Sequence, residues 1–356
     1  MKAFCAAALL ILPLIGCFRH RETPVEPPKG ALAGLSPSGF NRQIACGKWE
    51  EAAASDPEAL RHVSFPELSA SACYVPVRYK GEVAQPDPIP KGCEYPSENA
   101  RTTLIRERDR YSAIAGGRPV SSLPPELACV LSTDVLTAAA RQNAAALSAV
   151  LQDLDAGRVY PYSAVAVFGF GHRDHGSSVL TGVGPQADCV PMVKSDFDLL
   201  SINVTRAGRG AMAHAASVAP VVIMSGGAVH SPLIEAFALA HVARCRFGVP
   251  RDRILVDPCA DHTHTNVKHM GSLVIALGGK TAYAVTDSGI QADYLNEDTI
   301  FRLIGGDIDQ RALRDWGYLL GSWRRASVGM SAGFWLTPYR FWAEPTDGLG
   351  SFSCVR

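Results

Sequence analysis

The sequence predicts an α/β protein: a doubly wound, mostly parallel sheet with helices on both faces, preceded by an N-terminal disulfide-stapled extension. Three observations predict it. Short apolar, β-branched runs recur at Ala164–Phe168, Val221–Ile223, Ile254–Val256 and Thr281–Val285. Such runs mark strands buried on both faces, as parallel strands are. Helical stretches alternate with them, at 197–217, 235–247, 268–277 and 292–304. Strand, helix, strand in this rhythm makes right-handed crossovers between parallel neighbours. Finally, Ser225, His230, Asp257, Asp261, His262, His264 and Asn266 all follow strand ends. Open α/β sheets bind their ligands outside the carboxyl ends of the strands.

Composition bounds the rest. The chain has 356 residues, enough for one large or two ordinary domains. It is 47% hydrophobic and 19% charged, so a sizeable core forms. Thirty-four basic residues balance thirty-four acidic ones. Nucleic-acid partners are excluded as a class, because they call for a basic face. Ten cysteines include no CxxC pair, which disfavours zinc ribbons and thioredoxin-like sites. Setting aside Cys5 and Cys17 leaves eight, an even number that points to disulfides in an oxidising compartment.

In chain order, residues 1–17 read as a signal peptide: Lys2, then an apolar stretch through Ile15, too short to span a bilayer. Leu14-Ile15-Gly16-Cys17 resembles a bacterial lipobox. That resemblance implies cleavage before Cys17 and a lipid (palmitate among its chains) on Cys17. It makes the membrane a partner and the periplasmic side of the envelope the location. Phe18 stands where lipoproteins retained at the inner membrane carry Asp, which points to the outer membrane. Residues 18–43, with Pro24, Pro27, Pro28 and Pro37, read as a tether. Residues 44–155 read as a cysteine-containing extension, loop-rich up to about 125 and stapled through Cys46, Cys73 and Cys93, with Cys129 a further candidate. It ends in an Ala/Leu-rich helix between Pro124 and Leu154 that packs on the edge of the next domain. Residues 156–356 hold the sheet, and an aromatic tail that includes Trp323, Phe334 and Trp335 closes its last edge.

Arg206, Ser225-Gly226-Gly227, Glu235, Gly248-Val249-Pro250, Ile254, Thr263, Asn266, Val285-Thr286 and Ser288 occur in one order and spacing. In these residues the chain resembles the bacterial envelope family that groups SanA, ElyC and YdcF, domain-of-unknown-function family 218. The resemblance spans roughly residues 160–305. It implies a Rossmann-like domain, often membrane-anchored, acting in envelope integrity and in peptidoglycan or lipid-carrier metabolism. One branch is linked to S-adenosylmethionine, and no reaction is generally assigned. Three positions depart from the family pattern: GHRDHG follows the first strand, Thr265 replaces a Glu before Asn266, and Ile290-Gln291-Ala292 stands where a His and an Arg are usual.

The candidate ligand-binding residues are Arg206, Ser225, Gly226, Gly227, Glu235, Thr263, Asn266, Thr286 and Ser288. Ser225-Gly226-Gly227 either cradles an anion at a helix N-terminus or makes a tight turn. Glu235, one turn into that helix, either meets a ligand hydroxyl or pairs with Arg206. Arg206 and Arg209 share a helix face suited to phosphate or carboxylate. Thr263 and Asn266 either read a sugar or amide or tie down the loop. His172, His175, His262 and His264 form a possible divalent-metal set, without a firm ligand motif. Cys259 reads as a disulfide partner, and Ser225 lacks the GxSxG setting of a nucleophile.

These features converge on a lipid-anchored envelope protein that binds a small polar or anionic ligand: a phosphorylated or glycosylated envelope intermediate. Two alternatives stay open, a non-catalytic envelope-integrity factor with a nucleotide-like ligand or protein partner, and a metal-assisted hydrolase. No catalytic residue is fixed by sequence.

Overall fold

The computed structural model describes residues 77–80, 83–86, 94–171, 179–192, 201–279, 281–285, 291, 322–325 and 331–335. Cys17, Cys46, Cys73, Cys93, His172, His175, Thr286, Ser288, the tether and the expected helix at 292–304 lie outside those residues, apart from Gln291 at that helix's edge.

A short antiparallel hairpin pairs β1 (Val77–Lys80) with β2 (Val83–Pro86). Two helices follow, α1 (Ala100–Ala115) and α2 (Thr133–Asp155), separated by a short 3₁₀ turn at Pro125–Leu127. The alternating part runs β3 (Ala164–Phe168), α3 (Ser201–Ala215), β4 (Val222–Ser225), α4 (Glu235–Cys245), β5 (Ile254–Asp257), α5 (Thr263–Ala276) and β6 (Thr281–Val285). Strands β7 (Ser322–Arg325) and β8 (Ser331–Trp335) close the described chain.

The sheet order is β5-β4-β3-β6-β8-β7. The first four strands are mutually parallel, and β8 and β7 add on antiparallel. The chain steps outward from β3 through β4 to β5, then returns across β3 to β6. Right-handed crossovers therefore put α3 and α4 on one face and α5 on the other. The packing agrees: α3 lies on α4, and α5 meets α1 and the 3₁₀ turn. The expectation of an α/β fold built on a parallel sheet with helices holds, and Trp323, Phe334 and Trp335 lie in the strands that extend the sheet beyond β6.

The extension differs from expectation. Residues 100–115, expected to be loop, form a four-turn helix. Its buried residues, Ala100, Leu104, Glu107, Tyr111 and Ile114, fall at steps of four, three, four and three, one face of a helix. Glu107 interrupts that stripe with a charge, which hides it in the sequence. Residues 94–155 also share one hydrophobic core with the sheet, through Tyr95, Leu104, Leu147 and Val150 beside Val165, Leu255 and Leu273. The division at residue 155 therefore does not separate two cores.

Helix α2 starts at Ser132, whose hydroxyl accepts from the Val135 N–H, and stops at Ala156-Gly157. It lies along the edge strand β5. Asn143, fully buried, donates from Nδ2 to the Val256 carbonyl at 3.0 Å and accepts the Val256 N–H at 2.7 Å. Gln142 donates to the Ile254 and Arg251 carbonyls at 2.7 and 2.6 Å. At its end, Asp153 takes a bidentate Arg253 and the Tyr160 hydroxyl. Cys129–Cys259 then ties the segment before α2 to the β5–α5 loop, and Cys189–Cys245 ties the β3–α3 segment to α4. Cys259 is a disulfide partner as expected. Cys129 is paired across to the sheet domain and not within the extension. Among the described residues no helix is long and apolar enough to cross a membrane.

Candidate functional site

Strand register sets Phe168, Ser225 and Asp257 side by side at the carboxyl edge. Ser225 and Asp257 are fully buried. The Ser225 Oγ stands 2.5 Å from Asp257 Oδ2 and 2.6 Å from Asn266 Oδ1. A hydroxyl has one proton, so it donates to one of them. The carboxylate is the stronger acceptor. A half-turn of the Asn266 amide, which keeps its shape, then lets Nδ2 donate to the serine oxygen. On the far side His269 Nδ1 lies 2.9 Å from Asp257 Oδ1, and the Cys259 N–H donates to the same oxygen at 3.1 Å. Burial opposes a charge on His269, but Asp257, with help from Glu126, outweighs it and raises the pKa above 6.5. Glu126 is fully buried, accepts the Tyr111 hydroxyl on Oε1 and has no hydrogen-bond partner on Oε2 among the described residues. Burial pushes its pKa up to about 7. Ser225 therefore bridges Asp257 and Asn266. Ser225 has no neighbouring histidine base among the described residues and is buried, so the geometry gives it no nucleophilic role.

Glu235 has a different setting. It is the first residue of α4, not one turn in, because residues 228–234 run as irregular bends before the helix begins. It is 7% exposed, and its carboxyl has no hydrogen-bond partner among the described residues. Glycines wall it in. A Cβ on Gly226 would stand 2.7 Å from Glu235 Oε2, and one on Gly169 would stand 2.9 Å from the Glu235 Cβ. A Cβ on Gly171 would come within 3.0 Å of Glu235 Oε1 and 3.1 Å of the His230 Nε2. Gly226 also holds φ at 153°, which only glycine adopts without strain. Burial pushes the Glu235 pKa up to about 7, against the pull of the Arg206 charge.

Arg206 does not reach out as a ligand fork. It is 2% exposed, donates from Nη1 to the carbonyls of Phe168 and Gly169 at 2.8 and 3.0 Å, and lies over the Phe170 ring. Arg209, on the same helix, is half-buried. Asn203, not expected from sequence, clamps Phe170 by accepting its N–H at 2.8 Å and donating to its carbonyl at 3.2 Å.

The expected anion cradle is also corrected. The Gly226 N–H goes to the Asp257 carbonyl at 3.0 Å and the Gly227 N–H to the Ala260 carbonyl at 2.6 Å. The first N–H groups of α4, on Glu235 and Ala236, go to the Gly227 and Gly226 carbonyls. These amides are committed to the turn. Gly226 and Gly227 serve close approach instead: a Cβ on Gly227 would stand 3.0 Å from the Pro258 and Ala260 carbonyl oxygens.

The histidines divide. His230 stands by Glu235. His262 caps α5, is exposed and has Nδ1 2.9 Å from Asp261 Oδ1, while His264 is buried with its ring 5.2 Å from that of His262. His262, together with Thr265, holds the Asp261 pKa well below the usual carboxylate range. Among the described residues no group of three or more His, Cys, Asp or Glu is arranged to hold a metal ion. Thr263 is the first residue of α5 and accepts from Gln291 Nε2 at 3.4 Å. Thr265, where the resembled family has Glu, accepts the Asp261 and His262 N–H groups and so closes the helix start. Beside the Gly227 turn lies an open cleft of about 400 Å³, with the Cys129–Cys259 disulfide, Val130, Val229 and Ile234 in its walls.

No family model matches the chain, and no characterised protein or solved structure matches it.

Proposed function

We propose that this chain is a lipid-anchored protein of the bacterial envelope, akin to the SanA, ElyC and YdcF group. In this reading its sheet-end crevice binds a phosphorylated or glycosylated envelope intermediate, and Glu235 is the group that takes or gives a proton there. The lipobox-like Leu14-Ile15-Gly16-Cys17 supports the anchor, with the lipid on Cys17 and the domain facing the periplasm from the outer membrane. The order of Arg206, Ser225-Gly226-Gly227, Glu235, Thr263 and Asn266 supports the kinship.

One observation carries the proposal. Glu235 is buried without a hydrogen bond among the described residues, at the carboxyl ends of β3 and β4, with a pKa near neutrality. A buried carboxyl without a hydrogen bond costs the fold stability, and one that titrates near neutrality suits proton transfer. Replacing Glu235 by Gln in the full chain is expected to raise the Tm at pH 8 while removing any small molecule that co-purifies from the periplasm, read by native mass spectrometry. A lowered Tm would make the carboxyl structural and end the proposal. A raised Tm with the co-purifying molecule retained would favour the non-catalytic envelope factor.

A further inference from the structure

We infer that the Cys129–Cys259 disulfide is a clasp that a dithiol opens, and that its opening loosens the cleft beside the Gly227 turn. Cys189–Cys245 is by contrast a fixed staple. The inference does not depend on what the Glu235 crevice binds.

The two disulfides present their sulfurs alike: Cys129 and Cys189 are exposed, and Cys259 and Cys245 are half-buried. They differ in what else holds the joined segments. Arg244 donates from Nη1 to the Pro185 carbonyl at 2.9 Å and from Nη2 to the Ala187 carbonyl. His241 Nε2 stands 3.3 Å from the Val190 nitrogen and 3.2 Å from its carbonyl oxygen, so either tautomer makes a bond. The Cys189 segment would stay on α4 with its disulfide broken. Residues 129–131 have no such second hold. Among the described residues, their main chain makes one hydrogen bond, from the Cys129 N–H to Cys259 Sγ at 3.3 Å, and it ends on the disulfide itself. Val130 beside it is fully exposed.

A disulfide resists reduction in so far as its two thiols stay close in the reduced chain, where their effective concentration sets how readily they rejoin. Cys189 and Cys245 stay close. Cys129 and Cys259 do not, so theirs is the bond that a dithiol opens. One thiolate of the dithiol attacks the exposed Cys129 Sγ. The Cys129–Cys259 bond breaks, and its electron pair leaves on Cys259 Sγ, which takes a proton from solvent. The Cys129 N–H already points at that sulfur and steadies the departing thiolate. The second thiolate then attacks the dithiol sulfur of the mixed disulfide, and Cys129 leaves and is protonated. The dithiol ends as a disulfide, oxidised by two electrons, and the chain ends with two thiols.

Residues 129–132 line the cleft together with 258–261 and Gly227, and the disulfide is the covalent bond between the first group and the second. Opening it frees 129–132 from the β5–α5 loop. That loop also holds the turn before α4: the Ala260 carbonyl accepts the Gly227 N–H at 2.6 Å, and the Cys259 N–H donates to Asp257 at 3.1 Å. One redox bond thus reaches the turn that leads to Glu235.

The test titrates the full chain with graded ratios of reduced to oxidised dithiothreitol, followed by alkylation and peptide mass spectrometry. Cys129–Cys259 is expected to open at a ratio at least about tenfold less reducing than Cys189–Cys245 requires. Simultaneous opening, the reverse order, or a Cys129–Cys259 bond that stays closed in fully reduced dithiothreitol would overturn the inference. Hydrogen exchange on the partly reduced chain reads the consequence. Peptides covering Gly227 and Cys259 are expected to exchange at least about threefold faster, with 185–190 unchanged. Unchanged exchange at Gly227 and Cys259 would show that the bond clasps nothing.

Discussion

Two buried carboxyls stand at the same end of the sheet, and they are treated in opposite ways. Asp257 ends β5, is fully buried, and receives Ser225, His269 and the Cys259 amide. Glu235 opens α4, is nearly as buried, and receives no hydrogen bond among the described residues. A buried charge persists when it is paired and hydrogen-bonded. Asp257 meets that condition and Glu235 does not. Buried polar groups therefore divide by what their partners are: Asp257 holds β4, β5 and α5 together, while Glu235 has no hydrogen-bonding partner among the described residues, which is the setting the proposed ligand role rests on.

The contrast breaks most severely at Asp257. Asp257→Ala leaves the His269 ring and the Ser225 hydroxyl buried without their acceptor, and is expected to cost about 3–5 kcal/mol. Urea unfolding measures this, and a loss below about 1 kcal/mol would mean the network is not needed. Next in size is pH. Glu126 and Glu235 hold their protons to about 7 in the fold, whereas the unfolded chain ionises them near 4.5. Both therefore lose stability as pH rises from 4.5 through 7. His269, raised above 6.5, adds stability at low pH that is lost as pH climbs through its folded value. All three carry one sign and are opposed in part by His214 and His241, whose pKa values burial lowers, so the chain is expected to be more stable at pH 5 than at pH 8 by about 1–4 kcal/mol. Denaturant midpoints at the two pH values check it, and Glu235→Gln should flatten the slope. The smallest expected effect sharpens the picture of the glycine wall. Gly169→Ala pushes a methyl into Glu235 and should destabilise by about 1–3 kcal/mol. Adding Glu235→Ala should restore most of that loss, and a simply additive double variant would show that the two do not meet.

The parallel strands were legible because each is a continuous apolar run with glycine, proline or aspartate at its end, as in Val221–Ile223 before Ser225-Gly226-Gly227. Glu235 was legible as a site residue from its place after such a turn. Its solitude was not, because whether a carboxyl finds a partner depends on residues far away in sequence. The amides of Gly226 and Gly227 show the same limit: a glycine turn looks like an anion cradle until the Asp257 and Ala260 carbonyls are seen to occupy it. Asn203 and Asn143 carried no signal at all. Each is an ordinary polar helix residue in sequence, and only the fold aims its amide at another residue's backbone. Helix α1 was missed because Glu107 sits inside its buried stripe, shielded by Arg106 and Arg110.

Asn143 has a consequence for how copies of this chain behave in a crowd. Strand β5 is the last strand of its sheet, and an open last strand is a template on which another molecule can lay its own. The Asn143 amide gives Val256 the donor and acceptor that a neighbouring strand would offer, and Gln142 takes the Ile254 carbonyl beside it. Helix α2 thus impersonates the next strand and ends the series. A protein trimmed to begin at residue 156 would keep every parallel strand and lose this stopper, leaving sheets free to join edge to edge into polymers.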